Sequence, residues 1–246
     1  MDQDLIRTMI DVDEHHWWYR GRREIVRVEL ERLPLPFPAA TLDAGCGSGR
    51  GLQELERFGT VRGIELNEEA AEAARGRGVG DVVVGRVEEL PWADATFDLI
   101  TSLDVIEHTP DDRVALQELA RVTKPGGWLL VTVPAYQALW APHDEANHHY
   151  RRYSRRSLRA AGLAAGWRIE RMTSFNSMLL APAAAVRIAQ RRRLLRSDVD
   201  GRADLHVGPA WLNGVLERPL RAEARWLRRG RTLPAGLSLL GVFQKP

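Results

Sequence analysis

The stretch Thr41-Leu42-Asp43-Ala44-Gly45-Cys46-Gly47-Ser48-Gly49-Arg50-Gly51 limits the fold of this chain more than any other. An apolar approach reaches an acidic residue and breaks into alternate glycines. A pattern at helical spacing then follows (Leu52, Leu55, Phe58). This predicts a buried strand, a tight turn and a helix start. Glycine lets a ligand approach the backbone closely, and the helix behind the turn offers unpaired N–H groups. The dinucleotide pattern G-x-G-x-x-G is not met. Counting from Gly45 puts Arg50 in the third glycine slot, and counting from Gly47 puts Leu52 there.

The next apolar run, Val61-Arg62-Gly63-Ile64-Glu65, ends in an acid twenty residues after Gly45. A carboxylate at that place can grip both hydroxyls of a ribose. Asp43 to Gly49, with Glu65 in register, resembles motif I of the class I S-adenosylmethionine-dependent methyltransferases, of the small-molecule type 11 kind. Three further segments are similar to that family. Gly85-Arg86-Val87-Glu88 stands where the family lies against the adenine, with Arg86 in a place where aspartate is common. Asp104-Val105-Ile106-Glu107-His108 continues a strand whose end lines the methionine side of the cofactor. Lys124-Pro125-Gly126-Gly127 precedes the fifth strand. The resemblance spans residues 41–134. It implies S-adenosylmethionine as cofactor, held by Asp43, Gly45, Cys46, Gly47, Gly49, Glu65, Leu66, Val87, Glu88, Leu103 and His108.

Strand patterns alternate with helical ones of 10–15 residues, which predicts a parallel sheet with helices on both faces. The expected fold is α/β and doubly wound: a mostly parallel seven-stranded sheet with a helical insertion before the last strand. The expected division is an N-terminal helical and aromatic cap over 1–38, a cofactor-binding core over 39–174, an insertion over 175–236 and the final strand over 237–246. In the cap, His15-His16-Trp17-Trp18-Tyr19-Arg20-Gly21-Arg22-Arg23 suits a segment folded over a cofactor or a helix packed on the sheet. On the first reading Tyr19 and Arg22 touch the cofactor and Trp18 the acceptor.

Only Cys46 could form a disulfide, and it has no internal partner, which suits a reducing cytoplasm. Met1-Asp2-Gln3-Asp4 is acidic and no apolar secretory segment follows, so no signal peptide is expected, and no run is long enough to span a membrane. Charge is segregated: residues 1–149 hold 15 Lys+Arg against 27 Asp+Glu, and residues 150–246 hold 20 against 6. This favours an anionic partner for the basic half. The helical patterns at Met178–Leu195 and Trp211–Arg229, with Arg191-Arg192-Arg193, fit a lid, peripheral membrane contact or a homodimer interface. No nucleic-acid recognition motif accompanies the charge.

Three of the seven histidines fall in the loop after the fifth strand, His143-Asp144-Glu145-Ala146-Asn147-His148-His149-Tyr150-Arg151-Arg152-Tyr153. One reading makes His143 and His149 proton acceptors, with Asp144 fixing a tautomer and Arg152 and Tyr153 orienting the acceptor. Another makes the loop a structural network. His143, Asp144, His148 and His149 are conceivable ligands, but the spacing fits no zinc pattern, so no metal is expected. The expected reaction is methyl transfer to a small or lipid-linked acceptor, with oxygen favoured over nitrogen or carbon. A nicotinamide-dependent oxidoreductase and a non-catalytic cofactor-binding subunit stand as alternatives.

Overall fold

The structure, a computed structural model, describes residues 13, 15–191 and 210–246. Arg192 and Arg193 of the predicted basic cluster therefore lie outside the described residues. In chain order the elements are α1 (Trp17–Leu30), β1 (Ala39–Ala44), α2 (Arg50–Leu55), β2 (Gly59–Glu65), α3 (Glu68–Arg75), β3 (Asp81–Val84) and β4 (Phe97–Leu103). There follow α4 (Asp112–Val122), β5 (Thr123–Pro134), α5 (Pro142–Ala146), α6 (Arg155–Ala164), β6 (Arg168–Phe175), α7 (Leu180–Arg191), α8 (Ala210–Arg228) and β7 (Ser238–Gln244).

The seven strands form one sheet in the order β3-β2-β1-β4-β5-β7-β6. β3, β2, β1, β4 and β5 run parallel, and β7 is antiparallel to both of its neighbours. Strand side chains alternate between faces, so successive apolar residues feed two different cores. Leu42, Ile64, Ile100, Leu129 and Val131 pack on one face with Leu116 and Leu119 of α4 and Leu158 of α6. Val61, Leu99, Leu130 and Leu240 pack on the other with α1, α2, α3 and α8. The chain runs outward from β1 on one side and from β4 on the other. The carboxyl ends of β1 and β4 therefore flank the switch point where ligands bind in such sheets.

Several local expectations change. β3 is a short edge strand with Val84 exposed, because it pairs only with β2. Lys124 to Gly127 do not close α4 but run on as part of β5. Their glycines exchange backbone hydrogen bonds with Lys245 (Gly126 N to Lys245 O and Lys245 N to Gly127 O, both 2.9 Å), which extends the ladder through residues that locally read as breakers. Pro219 interrupts nothing: α8 carries it, with Leu220, Ala224 and Leu227 buried against α1. An interior proline costs a helix about 3 kcal/mol, and this packing offsets it. At Gly21 of α1 a Cβ would lie 2.3 Å from Leu220, so the two helices meet closely there. Among the described residues no helix is long and apolar enough to cross a membrane.

Candidate functional site

The turn after β1 is tied to β2 at both ends. Gly45 N and Cys46 N donate to the Ile64 carbonyl at 2.8 and 3.0 Å, and Gly47 N donates to Glu65 Oε2 at 2.9 Å. Asn67 N donates to Glu65 Oε1 at 3.0 Å. Both carboxylate oxygens of Glu65 are thus aimed by backbone amides, and each keeps a lone pair for a hydroxyl. Gly45 has φ +82°, and a Cβ there would lie 2.4 Å from Val105, just past β4. Gly47 has φ +53°, and a Cβ there would meet nothing, so its backbone faces open space beside Glu65.

Asp43 lies under the turn. Its register partner on β4, Thr101, donates to Asp43 Oδ1 at 2.7 Å. Burial pushes the Asp43 carboxyl up to about 6, against the lowering effect of the Thr101 hydrogen bond and of Arg22. The folded state then holds a proton between pH 3.8 and about 6 that the unfolded chain releases. This contribution to stability is fully present below 3.8 and is lost as pH rises through 6. Asp43→Asn should therefore be more stable than the parent at pH 7–8, by at most about 3 kcal/mol. The advantage should shrink as pH falls toward 5. Thermal melts across that range check it, and a difference independent of pH would refute it.

The cap reaches this turn. Arg22 of α1 forms an ion pair with Asp104, the residue after β4, which sits at φ +59°. Its guanidinium lies 4.6 Å from the Trp18 ring centroid and 5.5 Å from that of Tyr19. Tyr19 is buried and Trp18 half-buried, so the segment is both a helix packed on the sheet and a neighbour of the pocket. Asp13, absent from the sequence expectations, accepts from Ser48 Oγ at 2.7 Å and from Arg23 at 2.9 Å. No local pattern marks it, since its partners lie ten and thirty-five residues on.

Other predicted cofactor residues divide. Leu66 is exposed just past β2, and Leu103 is half-buried at the end of β4. The Val87 side chain is in the core, which leaves only its backbone for a ligand, and Glu88 pairs with Arg86 at 3.1 Å. Cys46 is buried, and burial together with Asp43 and Glu65 pushes its thiol far up, so it fills space and is no nucleophile.

The loop after β5 packs over the end of β4, with Tyr150 N donating to the Glu107 carbonyl at 2.8 Å. His149 Nδ1 lies 2.8 Å from Asp144 Oδ1. Arg152 Nε donates to the same oxygen at 2.7 Å, and Ala141 N donates to Oδ2 at 2.8 Å. Burial works against the Asp144 charge, but the hydrogen bonds from His149 and Arg152 outweigh it and hold the carboxyl at about 2. A carboxylate acceptor fixes the proton of His149 on Nδ1 and leaves Nε2 as a lone pair.

His149 stacks edge-on against His108 at 4.6 Å, so His108 belongs with the histidine loop rather than with Glu65. Burial, then His149, lowers the His108 pKa to about 4. His143 stands apart, 6.4 Å from His149 and against Asn147. Tyr153 is not placed to orient an acceptor: it is buried in the core, with its hydroxyl donating to Asp112 at 2.6 Å. Arg152 is likewise spent on Asp144 and on the Ala135 carbonyl. Beside these lies Glu107, wholly buried, which sequence reasoning passed over as half of a Glu-His pair.

Five described non-glycine residues have positive φ: Asp104 and Asn176 directly after β4 and β6, Tyr136 two residues after β5, His148 in the loop that follows, and Ala95 ahead of β4. Each such position costs about 1–3 kcal/mol, and such strain gathers at functional sites. Here three of the five lie just past the carboxyl ends of strands, and Ala95 lies before the amino end of β4.

A family profile described as a methyltransferase domain matches residues 42–131. The ubiquinone biosynthesis O-methyltransferase of Thiobacillus denitrificans is 32% identical over 130 residues, covering 47% of this chain and 56% of that protein. The chain spans about half the length of the curated relatives it matches. Among solved structures, the fold is similar to a chain from the complex between the Haloferax volcanii Trm112 methyltransferase activator and a methyltransferase. The TM-score is 0.63 at 22% identity, covering 99% of this chain and 95% of that one. It is also similar to Haemonchus contortus phosphoethanolamine N-methyltransferase 2 in complex with S-adenosyl-L-methionine. There the TM-score is 0.60 at 17% identity, over 90% of this chain and 52% of that one.

Proposed function

We propose that the chain is a class I S-adenosylmethionine-dependent methyltransferase of the type 11 kind that methylates an oxygen of a small or lipid-linked acceptor, a reading supported by the methyltransferase-domain match over residues 42–131. The observation that carries this reading is the Glu65 carboxylate, fixed by Gly47 N and Asn67 N beside the open backbone of Gly47. That arrangement suits the two hydroxyls of the cofactor ribose. Leu103, Asp104 and Val105, at and just past the end of β4, would then hold the methionine end of the cofactor, with His108 and His149 beyond them.

The reaction is an in-line displacement. The acceptor oxygen attacks the methyl carbon, the carbon–sulfur bond breaks with its electron pair on sulfur, and the sulfonium becomes a thioether. The cofactor arrives activated, so the chain must align the two reactants and deal with one proton. His149, with its tautomer set by Asp144, presents Nε2 on the acceptor side. The Arg22–Asp104 pair and Trp18 close the pocket from the cap. For the acceptor's character, the exposed Trp211 and Val215 on α8 favour a lipid-linked molecule, and the groove between α1 and α8, lined by five arginines against Glu24 and Glu217, carries a net positive charge that favours an anionic one.

Calorimetry on the full chain tests the reading: S-adenosylmethionine should bind with one-to-one stoichiometry and NAD should not. Incubation with methyl-labelled cofactor and bacterial extract, followed by mass spectrometry, then identifies the acceptor and its methylated atom. Binding of NAD in preference to S-adenosylmethionine would overturn the assignment.

A further inference from the structure

We propose that Glu107, His108 and His149 form a site for one divalent transition-metal cation, of the zinc or cobalt class, on the acceptor side of the pocket. The inference rests on the methyl-transfer reading for its role, though not for its existence.

The first observation is proximity. One ligand atom from each of the three residues can be chosen so that all lie within 4.8 Å of one another, and no other trio of this kind occurs among the described residues. Bonds of about 2.0–2.1 Å in tetrahedral zinc put ligand atoms roughly 3.4 Å apart, so the trio draws in by no more than about 1.4 Å. Glu107 and His108 share one 3-10 turn, Ile106–His108, and His149 arrives on a loop, which can supply that movement.

The second observation is independent of the first. Glu107 is wholly buried, and neither of its carboxylate oxygens has a hydrogen-bond partner. An unpaired buried charge is far costlier than an unmade hydrogen bond. Protonation alone leaves an O–H donor and a carbonyl oxygen still without partners. A cation supplies what the protein does not.

The third observation is the outer shell. His149 gives Nδ1 to Asp144, which frees Nε2 to ligate. His108 stands edge-on against the same ring, 4.6 Å between centroids. Ligating histidines are held as His149 is, by a carboxylate or a carbonyl on the second nitrogen. Two imidazoles and a carboxylate form a borderline set that suits zinc, cobalt or iron over calcium and magnesium, which seek oxygen cages. Three protein ligands also leave a coordination position open, as catalytic sites require.

An acceptor hydroxyl in that position loses its proton to solvent far more readily than in water. The resulting oxygen attacks the methyl carbon, and the displaced electron pair goes to sulfur. His149 then acts through the cation rather than as a direct base.

The test uses untagged full-length protein stripped with chelator. Zn2+ is titrated by calorimetry and Co2+ by visible absorption, with S-adenosylmethionine titrated into the same stripped protein. One equivalent of ion should bind. H149N and E107Q should abolish stoichiometric binding, and D144N should weaken it by about 10–100-fold. Thermal melts confirm that each variant is folded, and H149N carries the test if E107Q is not. No stoichiometric binding of either ion to the parent, or unchanged binding in folded H149N, overturns the site. Cofactor bound without metal sinks the metal site alone; metal bound without cofactor sinks the methyl-transfer reading alone.

Discussion

Replacing His149 by Asn should lower single-turnover methyl transfer by about 10²–10⁴ and leave cofactor affinity unchanged. The magnitude is that of losing the group which manages the acceptor's proton. The selectivity follows from position. His149 lies on the loop after β5, against His108 and Asp144, whereas the proposed ribose grip is Glu65 at the end of β2. His143→Asn should fall much less, since His143 leans on Asn147 and stands 6.4 Å from His149. Rapid-quench measurement with the identified acceptor decides it. Normal transfer by His149→Asn would make the loop a scaffold and leave catalysis to proximity.

Glu65→Ala should weaken S-adenosylmethionine binding by roughly 2–4 kcal/mol, the worth of two charge-assisted hydrogen bonds. That is about 30- to 1000-fold in Kd. Part of the loss is indirect, because Gly47 N and Asn67 N lose the acceptor that orders the turn. Glu65→Gln keeps one good acceptor and should fall between. Calorimetry beside thermal melts separates affinity from folding. Undiminished affinity in a folded Glu65→Ala protein removes Glu65 from the site.

What the sequence disclosed depended on how far apart the interacting residues are. The glycine turn and Glu65 were legible because each is written within a few residues, and the cap at Asn67, just ahead of Glu68 and Glu69, is local in the same way. Asn67 Oδ1 indeed accepts from Ala70 N at 2.9 Å, three residues on. The strand alternation was legible for the same reason, and it suffices for a doubly wound sheet. Lys124 to Gly127 misled because their strand partner is Lys245, and Pro219 misled because α1 compensates for it. Within the histidine loop, composition marked the region without ranking its members. Only packing separates His149, on Asp144, from His143, on Asn147, and sends Tyr153 into the core. Glu107 left one usable signal: a carboxylate beside His108, just after the strand pattern that begins at Phe97. Its companion His149 lies forty-two residues later, which no local pattern connects.

The ion pair between Arg22 and Asp104 joins the first helix to the pocket, and Asp13 on Ser48 adds a second tie. Docking of the N-terminal segment and occupation of the glycine turn therefore draw on shared residues. Two such equilibria are reciprocal: a ligand that prefers the docked form strengthens docking by the same factor that docking strengthens the ligand. Substitutions far out on α1, at its contact with α8, then change cofactor affinity without touching the cofactor. The helix pair becomes an adjustable spring on the active site, tuned at Gly21 and Leu220, where the Leu220 side chain packs directly on the Gly21 backbone.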